Sequence, residues 1–320
     1  MDTGPARIKI ALAFAAVYLI WGSTYLAIRF AVQTLPPLTM ASVRFLVAGS
    51  VLYVLARRRG AEPGTWIHWR SATIIGGLLL LGGNGGVCLA ERVVPSGIAC
   101  LLITTVPLWM TLLEAIRPGG SLPPRIAILG LVLGFGGVYL LVDPGLPATD
   151  APLDRIGVAL LLGASLFWSM GSLYSKHASL PRSPFLSTAM QMLAGSVMLA
   201  IAGLITGEWG SIVVERMSFK SVAALAYLIV FGALVGFTAY VWLLQVASPA
   251  KVATYAYVNP VVAVLLGWAL ADETVTPQTL IAMVIIVLAV VCITATRSVP
   301  DYRRRERGDR VKPAPASQTS

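Results

Sequence analysis

Read for its apolar and polar positions, the chain is a string of long apolar runs parted by short polar turns. The runs lie at 8–28, 37–56, 72–91, 96–116, 125–142, 156–175, 185–206, 221–243, 250–271 and 278–297. A helix rising about 1.5 Å per residue needs about 20 mostly apolar residues to cross a bilayer core. Each run approaches or meets that length. Pro37, Pro95, Pro124, Pro184, Pro249 and Pro277 stand just ahead of several of them, where a missing amide proton costs a helix little. The pattern predicts an all-α polytopic membrane protein with ten transmembrane helices. Arg7 and Lys9 precede the first run as they would in a signal peptide, but the run is long enough to span and others follow, so it reads as an uncleaved first helix.

The same runs repeat. At an offset of 147, Trp21 meets Trp168, Arg29 meets Lys176, Pro37 meets Pro184, Arg44 meets Gln191 and Leu46 meets Leu193. At 154, Gly82 meets Gly236, Val87 meets Val241, Leu89 meets Leu243, Glu91 meets Gln245 and Pro95 meets Pro249. At 153, Pro107 meets Pro260 and Pro124 meets Pro277. The order of the matches divides the chain into a first half (1–142), a linker (143–155), a second half (156–297) and a basic tail (298–320) expected to be disordered. Five helices per half is an odd number, so the halves should enter the membrane with opposite topology. Inverted repeats are an architecture of secondary transporters.

Composition agrees. Of 320 residues 57% are hydrophobic and 12% charged, about half the charge of a soluble domain. The net charge of +10 would suit nucleic acid were it clustered on one domain, but it lies in turns and the tail. With the N-terminus inside, 18 Lys and Arg fall on the cytoplasmic side and five outside, as positive-inside topology requires. Both termini are then cytoplasmic, and the location is the cytoplasmic (inner) membrane. Cys88, Cys100 and Cys292 sit inside apolar runs without metal-ligand spacing and read as packing residues.

Polar groups within the spans are the candidates for function. Arg44, seven residues past Pro37, either snorkels or faces the bundle, where it would brace helices or hold a carboxylate-bearing solute. Gln191 is its repeat mate. Asn84 lies within Gly82–Gly86, a stretch suited to close packing or to a locally opened helix. Pro107 and Pro260 free carbonyls inside their helices, as gate hinges or as static kinks. Thr104, Thr105 and Asn259 beside them can satisfy those carbonyls or bind a ligand. Trp21, Tyr25, Trp168, Tyr240 and Tyr255 would line a pathway for an amphipathic or aromatic solute, or belong to interfacial belts. Glu91, Glu114, Asp272 and Glu273 stand at run ends, where water is expected within reach. No phosphate-binding loop or nucleophile–base pair is evident, so neither a cofactor nor enzymatic chemistry is expected.

Trp21-Gly-Ser-Thr-Tyr-Leu-Ala-Ile-Arg29, Arg44-Phe-Leu-Val-Ala-Gly49, Val94-Pro-Ser-Gly97, Val106-Pro-Leu-Trp109 and Tyr255-Ala-Tyr-Val-Asn-Pro260 together resemble the EamA-type, ten-helix members of the drug/metabolite transporter superfamily. The resemblance covers the chain to about residue 297. It implies export of amino acids, metabolites or toxic compounds. Many members carry a Gly-Glu where this chain has Asp272-Glu273; the first-half position is Gly119-Gly120, which lessens any role for that acid. The partners expected are a small-molecule solute and the lipid bilayer, with no nucleic acid and with a homodimer left open. A membrane-embedded lipid-processing enzyme and a non-transporting interaction protein are the rival readings.

Overall fold

The computed structural model describes residues 4–117, 123–142, 153–246 and 254–297, so most of the linker and the whole tail lie outside the described residues. Every regular element among them is helical. In chain order these are α1 (Gly4–Ala31), α2 (Pro37–Arg58), α3 (Trp66–Ala90), α4 (Ser96–Ile116) and α5 (Arg125–Val142). There follow α6 (Arg155–Ser175), α7 (Pro184–Ile205), α8 (219–246), α9 (Tyr255–Ala271) and α10 (Pro277–Arg297). Among the described residues nine helices are long and apolar enough to cross a membrane; in α9 the apolar stretch is the shorter Val258–Ala271.

Local chemistry sets the ends. α2 and α7 begin on proline, and the Ser183 hydroxyl accepts from the Leu186 amide to cap α7. Asp154 caps α6 through the Gly157 amide at 2.6 Å. α3 starts ahead of its apolar run because Thr65 and His68 form a capping box, each side chain accepting from the other's amide. His68 is therefore a cap in a first turn.

Three helices are interrupted. α3 is a π-helix over Gly77–Gly85 and α8 over Leu228–Val235, while α4 breaks at Thr104 and Thr105 between Ser96–Ile103 and Val106–Ile116. The π segments occupy corresponding places in the two halves. Such turns recur at functional sites because they reset which side chains face inward.

Packing couples the halves throughout. α2 lies against α7, α4 against α9 and α5 against α10, while α1 packs on α8 and α9, and α6 on α3 and α4. α2 and α7 run antiparallel: Thr39 meets Gly203, Ser42 donates to the Ser196 carbonyl at 2.9 Å, and Gly49 meets Met192. α5 meets α10 in the same sense, Gly130 on Ala289 and Gly137 on Ile286. Small residues let these backbones approach closely, which drives association where lipid removes the hydrophobic incentive. Leu46, Val54, Leu129, Ile201, Val284 and Leu288 point outward, an apolar belt that only lipid would cover.

Candidate functional site

Four aromatic side chains gather where α1 meets α8 and α9. The Trp21 ring lies 5.0 Å from Tyr240, 5.1 Å from Tyr255 at 87°, and 5.9 Å from Phe237. Tyr240 and Tyr255 stand edge to face at 6.0 Å. The approach is possible because α8 offers glycine: a Cβ on Gly236 would lie 2.6 Å from Trp21 Nε1, which donates to the Gly232 carbonyl at 3.2 Å. Below the rings, Tyr18 and Thr254 share a 2.5 Å hydrogen bond, and the Asn259 amide is oriented to donate to the carbonyls of Tyr18 and Tyr255. Tyr25 reaches the Cys100 thiol of α4. Asn259 thus spends its amide on backbone beside Pro260.

Arg44 borders this cluster. Its side chain is 6% exposed, and Nε and Nη1 have no hydrogen-bond partner. The guanidinium lies over the Phe45 ring at 4.9 Å, and a Cβ on Gly232 would sit 3.2 Å from Nη2. This is a cation enclosed by α1, α2 and α8, not one snorkelling to the rim. A buried guanidinium with free N–H groups is costly, and a carboxylate or phosphate-like anion is the ligand its fork matches best.

The remaining candidates are spread through the bundle. Trp168 stands against Gly83 in the π segment of α3, the place that its repeat mate Trp21 holds against Gly236 in α8. Gln191 donates to the Ser187 hydroxyl at 3.1 Å, and Asn84 accepts from Cys88 at 3.6 Å. Thr104 and Thr105 turn their hydroxyls onto the Cys100 and Leu102 carbonyls, at 2.8 and 2.6 Å. They satisfy the break in α4. Pro107 opens the second segment of α4, whereas Pro260 lies inside α9. Among the described residues no cluster of His, Cys, Asp and Glu suits a metal ion.

Sequence reasoning passed over the acids. Glu91 was expected beside water at a helix end; it is 0% exposed, and neither carboxylate oxygen has a hydrogen-bond partner. It lies in the turn between α3 and α4, where the Arg29 guanidinium donates to its main-chain carbonyl. Burial pushes its carboxyl well above the usual range, Glu273 pushes the same way, and Arg29 and Arg44 oppose. Glu273 also has a task that its motif did not reveal. Asp272 adopts left-handed backbone at φ 51°, alone among the described non-glycine residues, and turns Glu273 onto the start of α4. There Glu273 accepts from the Ser96 and Gly97 amides at 2.6 and 3.0 Å. Glu208, following α7, caps α2 in the same manner through the Leu38 and Thr39 amides at 3.2 and 2.9 Å. Both contacts are carboxylates of the second half on helix N-termini of the first.

Comparison with known proteins gives this arrangement its context. The EamA-like transporter family matches residues 8–143 and again 155–295. The inner membrane transporter YedA of Escherichia coli (strain K12) is 39% identical over 283 residues, 88% of this chain and 89% of that protein. The transporter YvbV of Bacillus subtilis (strain 168) is 26% identical over 91% of this chain and 93% of its own. A protein solved by crystallography shares the fold at a TM-score of 0.58 and 22% identity, over 93% of this chain and 98% of that one. Two matches in tandem, together spanning nearly all the apolar sequence, place this chain in the EamA-like transporter family.

Proposed function

We propose that the chain is a secondary transporter that exports a small organic solute by alternating access of two inverted five-helix halves, with α9 as the tenth span and both termini in the cytoplasm. One observation carries the reading: equivalent contacts recur between the halves. Trp21, which lies against Gly236 and donates to Gly232 in the π segment of α8, is matched to within one position by Trp168 on Gly83 in the π segment of α3. Two halves that pack on each other through equivalent surfaces can exchange roles, which is the basis of access from alternate sides. The solute class follows from Trp21, Tyr240 and Tyr255 beside the free N–H groups of Arg44. Aromatic faces and one enclosed cation suit an aromatic or amphipathic molecule carrying a carboxylate. The rival readings, a lipid-processing enzyme and an interaction protein, gain no support from this geometry.

Counterflow in proteoliposomes tests it. Vesicles loaded with unlabelled L-phenylalanine, L-lysine or choline should accumulate the matching labelled compound only where an aromatic carboxylate is present. Accumulation of lysine or choline but not phenylalanine would overturn the solute class. No exchange of any organic solute by folded protein, across a wide panel, would overturn transport.

A further inference from the structure

Glu91 is not used by the solute site just described, yet it is the most enclosed acid among the described residues. Its two oxygens lack donors in a place without exposure to water. A carboxylate stripped of both water and hydrogen bonds is strongly disfavoured, and protonation is the cheapest relief. The charged and titratable groups near enough to act on it come from several elements: Arg29 and Tyr25 of α1, Arg44 of α2, Cys88 near the end of α3, Cys100 of α4, and Glu273 from the turn after α9. The last is decisive, because Glu273 is the residue with which the second half grips the start of α4. Gly267 leaves room for that grip, since a Cβ there would lie 2.3 Å from the Glu273 carboxylate.

We propose that Glu91 is a proton-binding site whose loading keeps this end of the bundle shut, and whose release unfastens Glu273 from α4. With Glu91 neutral, the Glu273 carboxylate rests on the Ser96 and Gly97 amides and holds the halves together, aided by Glu208 on α2. With Glu91 ionised, two carboxylates confront each other at low dielectric, and the repulsion acts directly on the cross-half contact. Opening gives Glu91 water and separates the charges. The shut arrangement binds the extra proton, so it is favoured as pH falls and lost as pH rises through the raised value of Glu91. The bond made and broken is one carboxyl O–H, with the proton passing to or from water at the opening end. The proposal rests on the alternating-access reading, since it supplies the gate of that cycle with a pH-dependent latch.

Electron–electron distance measurements on the protein in lipid nanodiscs test it without any solute. Spin labels go at Val93 and Thr274, both exposed and one in each half, in a variant with its three cysteines replaced by Ala. In mildly acidic buffer a single short distance is expected, and in mildly alkaline buffer a second, longer population. Glu91→Gln fixes the neutral form and should keep the short distance in both buffers; Glu273→Gln should show the longer one in both. Infrared titration should show a protonated carboxyl band in the parent that Glu91→Gln lacks. Distances indifferent to pH in the parent, an equal shift in Glu91→Gln, or no protonated carboxyl in acid would overturn the proposal. Because no solute is present, failure of the counterflow experiment leaves this outcome readable.

Discussion

At Arg44 the two halves depart most sharply from one another. Its repeat mate Gln191 satisfies itself on Ser187, whereas Arg44 holds Nε and Nη1 without partners in a site that is 6% exposed. Packing symmetry would be served by glutamine in both places, so the charge answers to something beyond packing. Removing a buried charge that has no direct partner often stabilises a fold. Arg44→Gln should therefore unfold in detergent at a temperature no lower than the parent. Its counterflow of an aromatic carboxylate should fall about tenfold to a hundredfold, the effect of losing a charge-assisted hydrogen bond worth about 1.5–3 kcal/mol. Arg44→Lys keeps the charge but loses the planar fork, and should lie between the two. Full flux in Arg44→Gln would detach the residue from the solute site.

Helices were largely legible along the chain because their signal is local: long apolar runs, prolines at the starts and polar turns between. What escaped was decided by contacts from elsewhere. The early start of α3 needed the Thr65–His68 pairing, and the break at Thr104 and Thr105 shows in the chain only as two threonines before Pro107. Trp21, Tyr240, Tyr255 and Arg44 were readable as candidates, and the fold brings them together. The enclosure of Glu91 was not readable, since it is set by the packing of other segments, among them α1, whose Arg29 binds the Glu91 carbonyl. The prolines also separate at this scale. Pro107 occupies the first turn of a helical segment, where it is tolerated, while Pro260 interrupts α9 from within at a cost of about 3 kcal/mol against Ala. Pro260→Ala should raise the unfolding temperature and slow counterflow severalfold, if the freed carbonyls let α9 flex. Pro107→Ala should change both much less. Equal effects of the two substitutions would show that position within the helix does not matter.

Across the described residues, the contacts between halves differ at the two ends of the bundle. At the end holding the turns 32–36, 91–95, 206–218 and 272–276, Glu208 and Glu273 cap first-half helices, and Ser218 and Ser221 bind α1 and the turn after it. At the opposite end, among the described residues, Lys176 and Glu114 form a cross-half ion pair at 2.9 Å, with side chains 50% and 39% exposed, a geometry that contributes little. A transporter built from two such halves would be fastened at the first end in this conformation. Which side of the membrane each end faces follows from charge. The segment 57–70 and the tail alone carry ten of the 24 Lys and Arg, and 18 basic residues against five favour that end inside. Reporter fusions at Thr65 and Thr149 should therefore report the cytoplasm and the exterior respectively. The fastened end, with Glu91 and its proton, would then face outside, and an exported solute has to enter from the other, cytoplasmic end. Reporters in the same compartment would break the inverted topology. Reporters in reversed compartments would keep the two halves but turn the fastened end inward, and with it the expected direction of transport.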